Sequence, residues 1–268
     1  MKALLKTIPG VRTALDIRNR LIHIEDKIDR LTGEKHVVES ENYVGHSDQA
    51  FGSTTYAQSG EDLIALNTFA LLGIQNPRYL DIGANHPWHC SNTALFYKRG
   101  CSGVAVDADP DIVALYRKER PNDLVLHSGV STEVGKMPFY RLASMSGRNT
   151  FAKEMVDQFQ EVNKEASIQE TITVKVTTIN MIVETLFKGR WPDFLSLDIE
   201  GLDERVLAAT DFSKGQPAIL CVENRNGRGD DLTHQVAAVA VSKGFKPWAR
   251  TWANAIFLSE GAHSKLVF

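Results

Sequence analysis

From residue 56 onward the apolar positions switch between two rhythms. Short, nearly unbroken apolar runs occur at RYLDIG, SGVAVDA, LVLHSGV, ITVKVTTI, DFLSLDIEG and PAILCVENR, the signature of strands buried on both faces. Between them, NTALFYKRG, PDIVALYRKER, NMIVETLFKG and LTHQVAAVAVSKG place apolar residues every three or four positions, as a helix packing one face requires. SGEDLIALNTFALLG precedes the first strand; Ser59 with Asp62 three residues on predicts a capping box, and Gly73 predicts the helix end. This alternation predicts an α/β domain with a doubly wound, mostly parallel sheet. The last runs, FKPWAR and ANAIFLSE, are joined by a tight turn and predict an antiparallel hairpin at the sheet edge.

The first 33 residues follow another pattern. Ile17, Leu21, Ile24, Ile28 and Leu31 are spaced four, three, four and three apart, an a/d seam flanked by charges. Upstream, Leu4, Leu5, Ile8, Val11 and Leu15 form a second stripe beside basic residues, interrupted by Pro9. This helical arm (1–33) reads as a homo-oligomerising segment through residues 17–31, as a helix packed on its own domain, or as a basic amphipathic segment in peripheral contact with a membrane. A polar linker (34–55) joins it to the domain at 56–268.

Composition narrows the classes. The chain has 268 residues, 43% hydrophobic and 24% charged, with a formal net charge of -3, which suits a soluble domain and disfavours a nucleic-acid partner. Its three cysteines form no CxxC pair, so neither a disulfide framework nor a zinc knuckle is expected. Without a signal-like or membrane-spanning apolar run, the expected location is cytoplasmic, with the inner membrane surface as the site of any peripheral contact.

The strand YLDI breaks into a turn at Asp81-Ile82-Gly83-Ala84-Asn85. In a doubly wound sheet such strand tips line the ligand crevice. Gly83 suits close backbone approach, and Asp81 puts a carboxylate where a dinucleotide would place its pyrophosphate, so a cationic ligand fits better than a phosphate. Asp107, at the tip of the second strand about 25 residues on, is positioned to hold a ribose diol. A nucleoside with a positive centre and no phosphate satisfies both, and S-adenosylmethionine is such a molecule.

YAQSGEDLI, YLDIGANHPWHCSNTALFYKRGCSGVAVDADP, RPND, VKVTTIN and DFLSLDIEGLDERVL, in that order, resemble the FkbM-type methyltransferases over roughly residues 56 to 260. The resemblance implies a class I methyltransferase Rossmann-like sheet, S-adenosylmethionine as cofactor, and O-methylation of sugars, glycans or polyketides. It implies cofactor contacts from Tyr56, Gln58, Gly60 and Glu61 around the methionine end and from Asp81, Gly83 and Asn85 at the first turn. It further implies contacts from Asp107 with Ala108, from Ser128 and Gly129 near the adenine, where His127 is also expected, and from Asp198.

Methyl transfer to a hydroxyl requires alignment of the acceptor oxygen and removal of its proton. Asp198, Glu200 and Glu223 at two strand tips, and His86 held in a loop by Pro87, are the candidate catalytic groups. Asp198 and Glu223 are also candidate ligands for a divalent cation such as Mg, which would lower the hydroxyl's pKa. Glu200 has a second possible role, capping the helix that follows. Arg148, Asn149 and Thr150 are candidate acceptor contacts; FAKEMVDQFQEV reads as a lid or as a helix packed through Phe151, Met155 and Phe159. ENRNGRGDD reads as a gating loop, and Trp248 and Trp252 as sugar platforms or core residues. The expected function is S-adenosylmethionine-dependent O-methylation of a sugar or polysaccharide, the alternatives being an NAD(P)-binding Rossmann oxidoreductase and a non-catalytic scaffold.

Overall fold

The computed structural model describes residues 54–142, 146–164 and 166–266. The helical arm, and with it the seam at 17–31, lies outside the described residues, as does nearly all of the linker. The first element is helix α1 (Glu61–Leu72), followed by β1 (Tyr79–Ile82), α2 (Ala94–Lys98), β2 (Gly103–Asp107), α3 (Pro110–Glu119) and β3 (Leu124–His127). Then come β4 (Gly129–Val130), β5 (Gly135–Arg141), α4 (Lys153–Val162), β6 (Glu170–Thr177) and α5 (Ile179–Leu186). The chain continues through β7 (Phe194–Leu197), α6 (Asp203–Ala209), β8 (Ile219–Glu223), α7 (Thr233–Ser242), β9 (Phe245–Arg250), β10 (Asn254–Ser259) and α8 (Glu260–Leu266).

Seven strands form one sheet in the order β3-β2-β1-β7-β8-β10-β9. Strands β3, β2, β1, β7 and β8 pair in parallel, while β10 runs antiparallel to both neighbours. This is the doubly wound, mostly parallel sheet that the apolar runs predict, in the Rossmann-like form that the resemblance implies. The terminal hairpin forms at the sheet edge as expected, with β10 beside β8 and β9 outermost. Burial explains the order, because NAIFL in β10 is buried throughout whereas β9 buries only Phe245.

The parallel register sets the tips of the strands level. Ile82 faces Val106 on one side and Leu197 on the other, and Leu197 faces Val222. Asp107, Asp198 and Glu223 therefore sit at one edge of the sheet, where the strands turn into helices. Below that edge, Leu80, Ile82, Val104, Val106, Leu195, Leu197, Leu220 and Val222 form one hydrophobic layer with α5, α6 and α7. Tyr79, Phe194, Ile219 and Cys221 form the opposite layer with Phe69 of α1 and Phe96 of α2.

Two expectations change and one alternative is decided. LVLHSGV is not one strand: β3 stops at His127, and β4 joins a separate three-stranded sheet ordered β4-β6-β5. Ser128 marks the break, its amide donating to the carbonyl of Asp107 at 3.0 Å. The α1 cap is Gly60 in a left-handed conformation (φ 85°) rather than Ser59. Glu61 instead receives the Ser59 amide at 2.8 Å, and Asp62 receives the amides of Tyr56 and Leu63 at 2.7 and 2.8 Å. Finally, Met155, Val156 and Phe159 of α4 and Phe151 before it are buried in the main core, so the packed-helix reading of this segment is the one the structure takes. Among the described residues no helix is long and apolar enough to cross a membrane.

Candidate active site

A cavity of about 800 Å³ opens at the level strand tips. Its walls include the turns after β1, β2, β7 and β8, together with Ser128, Gly129, Phe151 and Phe159. Of the sequence-based candidates, Gln58, Asp81, Gly83, Asn85, Asp107, Ala108, Ser128, Gly129, Asp198, Glu200 and Glu223 all line it.

The first turn is shaped by contact with the protein itself. A β-carbon on Gly83 would fall 1.6 Å from the carbonyl oxygen of Asp198, and Gly83 has φ 72°. Besides lining the cavity, Gly83 admits the β7 turn and so fixes where Asp198 sits. Asp81 is buried; its Oδ2 accepts from Thr93 Oγ1 at 2.6 Å, and burial pushes its carboxyl up to about 6 against the pull of Thr93 and Arg120. Asp107 accepts backbone amides from Asn85 (2.9 Å) and Asp109 (2.8 Å), which clamp the first and second turns together. Burial pushes it, too, up to about 6.

At the third and fourth tips, carboxylate oxygens of Asp198, Glu200 and Glu223 lie within 4.8 Å of one another. Burial, then the neighbouring Asp203 and Asp81, push Asp198 up to about 8. Glu200 and Glu223 are raised well above the ordinary carboxylate value, again by burial first and Asp198 second. The buried Oε2 of Glu223 has no hydrogen-bond partner. Asp198 and Glu223 form a carboxyl pair whose hydrogen bond requires one proton shared between them, and their burial and mutual repulsion favour keeping it. Glu200 does not cap α6. The N-cap of α6 is Leu202, with no side-chain cap; Asp203, the first residue of the helix, closes the turn before it by accepting from the amides of Ile199 (2.9 Å) and Gly201 (3.2 Å), while Glu200 takes a left-handed backbone (φ 52°) and its carbonyl accepts from Thr150 Oγ1 at 2.7 Å.

Other candidates fall elsewhere. His86 is not among the cavity-lining residues; its Nδ1 accepts the amides of Trp88 and His89 at 3.1 and 3.2 Å, and its ring packs on His89 at 4.5 Å. That nitrogen holds the loop together, and the structure does not bring it to the acids. Tyr56, Gly60 and Glu61 also lie off the cavity wall. Tyr56 packs on Trp88, and Glu61 is fully buried, its carboxylate joining α1 to Thr251 and to Asn254 Nδ2. His127 has Nε2 3.1 Å from the carbonyl of Ala108 and is not among the residues that line this cavity. Of the three predicted acceptor contacts, Arg148 and Asn149 line the cavity and Thr150 does not; Asn149 is largely buried, its Nδ2 donating to Asp109 at 2.9 Å. Trp248 donates to Thr68 Oγ1 at 2.9 Å, whereas Trp252 stands at the cavity rim.

Sequence reasoning missed Arg120. It is fully buried, and its guanidinium reaches Asp123 at 2.7 Å, Tyr79 Oη at 2.9 Å and Thr93 Oγ1 at 3.1 Å. Through Thr93 it supports Asp81 from behind.

This constellation of strand-tip carboxylates accompanies a match to the methyltransferase FkbM domain over residues 81–247, more than half of the chain. The chain belongs to that family. The FkbM domain so defined contains every carboxylate at the strand tips, and the protein is accordingly an S-adenosylmethionine-dependent methyltransferase. Seven chains of solved structure match it. Among them is a TehB-like SAM-dependent methyltransferase from Corynebacterium glutamicum, 14% identical, covering 78% of this chain and 90% of its own, with a TM-score of 0.39. A likeness of that degree decides nothing further. No curated protein matches the chain.

Proposed function

We propose that this FkbM methyltransferase acts on a hydroxyl of a sugar or polysaccharide. The observation that carries the reading is the group of three carboxyls, Asp198, Glu200 and Glu223, held close together on the wall of the cavity that Asp81 and Asp107 also line. An oxygen acceptor must lose a proton as it gains a methyl group, and these are the groups placed to take it.

The residues fit the cofactor. Clustered acids raised by burial are stabilised by a positive charge, and the buried Oε2 of Glu223 has no hydrogen-bond partner of its own. S-adenosylmethionine, when bound, supplies a methyl group on a positively charged sulfur. Asp107, fixed by two amides, would hold the ribose diol; Asp81, Gly83 and Asn85 would shape the first turn around it; Ser128 and Gly129 would flank the base. Asp198 and Glu223 would orient the acceptor hydroxyl, and the pair, holding one proton between them, would take the second from it.

A second reading rests on the same distances: the three oxygens also suit a hard divalent cation such as Mg. Chelator treatment separates the two, because proton transfer to the acids alone survives it and a metal-assisted route does not.

The test of the main reading is incubation with methyl-labelled S-adenosylmethionine and a panel of saccharides, followed by isolation of the labelled product. Label in an acid- and base-stable methyl ether supports O-methylation of a hydroxyl. Label only in a methyl ester, or on nitrogen, overturns it. Cofactor binding without transfer to any acceptor returns the scaffold alternative; the oxidoreductase alternative loses its ground with the family assignment.

A further inference from the structure

The cavity has opposite characters at its two ends. Its inner wall carries the strand-tip acids, but its rim carries three guanidiniums, Arg148, Arg225 and Arg228. Arg228 is already neutralised by Glu161 on α4. Arg148 and Arg225 form no ion pair among the described residues. Each lies over an aromatic ring instead: Arg148 at 5.3 Å from the Phe159 centroid, and Arg225 at 5.1 Å from that of Trp252.

These contacts seat each guanidinium over a ring. Arg225 gives Nε to the carbonyl of Trp252 and Nη1 to that of Gly229, at 2.6 and 3.2 Å, both neutral acceptors; Asp231, which it also attracts, is ion-paired to Arg250, and Arg148 acts on Glu200 without forming an ion pair. A guanidinium anchored in this way is suited to a planar or tetrahedral oxyanion. Trp252 itself is 60% exposed, a cost that an apolar face of a bound molecule would remove.

On the reading that the acceptor is a sugar, we infer that it is an anionic one, bearing a carboxylate or a phosphate, with its ring against Trp252 and its anionic group on Arg148 and Arg225. The hydroxyl to be methylated then points inward to Asp198 and Glu223, while the charge stays at the rim. This polarity also sorts the two ligands by sign: the sulfonium is drawn to the acids and the anionic sugar to the arginines.

The experiment is calorimetric titration of glucuronate, glucose 1-phosphate and methyl glucoside into the full chain saturated with S-adenosylhomocysteine. At least one anionic sugar is expected to bind about tenfold or more tightly than methyl glucoside; which of the two does so identifies carboxylate or phosphate. R148Q and R225Q should each erase most of that preference, R225K should restore part of it, and R228Q should leave it in place. W252A should weaken all three sugars. S-adenosylhomocysteine affinity, unchanged in every variant, certifies the fold and the cofactor site separately. The inference is overturned if methyl glucoside binds as well as the charged sugars, if neither anionic sugar binds, or if their preference survives both R148Q and R225Q. Failure of the methyltransferase reading is distinct, because it would show as loss of S-adenosylhomocysteine binding by the unaltered protein.

Discussion

The carbonyl oxygen of Asp198 occupies the place where a β-carbon on Gly83 would have to be, 1.6 Å from it. The turn after β1 and the turn after β7 are thereby locked backbone to backbone, with the amide of Asp198 donating to Ile82 at 3.0 Å. Gly83→Ala meets both this clash and a left-handed backbone at φ 72°. Either the β1 turn or the β7 turn must move. A loss of about 3 kcal/mol or more is expected, read as a lower midpoint in urea, together with loss of cofactor binding. A variant with an unchanged midpoint would show that the two turns are not locked.

Arg120 makes a second structural prediction. Its charge is enclosed with Asp123, Tyr79 and Thr93, and removing it as Arg120→Met leaves Asp123 buried without its cation. Breaking a buried pair in this way costs about 3–5 kcal/mol, and urea denaturation should show a loss in that range. Because Thr93 also holds Asp81, cofactor affinity should fall as well. An effect under about 1 kcal/mol would mean that water reaches the pair and screens it.

Arg120 shows where the sequence was opaque. Its partners are scattered: Tyr79 on β1, Thr93 before α2 and Asp123 after α3, and nothing in the run of RKERPND marks its arginine as buried. The strands, by contrast, were legible because burial on both faces demands unbroken apolar runs. The closeness of Asp198 and Glu223 was legible too, since parallel neighbours in level register bring their tips together. The second sheet escaped because β4 is only two residues long, and its separation from β3 depends on one amide, that of Ser128. His86 looked catalytic for a good reason, its place just beyond the cofactor turn, but a ring nitrogen two and three residues from free amides can satisfy the loop instead.

Asp107 provides the most direct test of the cofactor site. Both its oxygens receive backbone amides, so the carboxylate is rigid before any ligand arrives. Asp107→Asn keeps the shape but replaces one acceptor oxygen with a donor facing an amide. S-adenosylmethionine affinity should fall about 10- to 100-fold by calorimetry. Affinity within a factor of two of the parent would move the ribose to another residue.

The acid cluster ties stability to pH. Asp198 is pushed up to about 8 and Asp203 up to about 6, whereas both titrate near 4 in an unfolded chain. The folded protein therefore keeps protons that the unfolded chain has released, and the stability these acids contribute is full below about pH 4 and lost as pH rises through about 6 and then about 8. The thermal midpoint of the cofactor-free protein should decline from about pH 5 to about pH 9. Saturating S-adenosylmethionine should flatten that decline, with proton release on binding seen by calorimetry in buffers of different ionisation enthalpy. A midpoint that climbs across the window would show the acids ionised and paired in the free protein.

Asp198→Asn and Glu223→Gln separate the proton-acceptor role from the metal reading. Each keeps side-chain volume and removes a group that can take the acceptor's proton, so kcat should fall about 10²- to 10⁴-fold while the fold, monitored by thermal melting, is kept or made firmer at high pH. If the acids act directly, the parent enzyme is indifferent to EDTA, and added Mg does not rescue either variant. If they hold a cation, EDTA abolishes parent activity, Mg restores it, and the variants show a raised Mg requirement with a kcat that recovers at saturation. Glu200→Gln divides the cases again: as a third cation ligand it would shift the Mg requirement, whereas beside a directly acting Asp198–Glu223 pair it would mainly displace the pH profile, by removing a carboxyl whose charge, after burial and Asp198, raises Glu223.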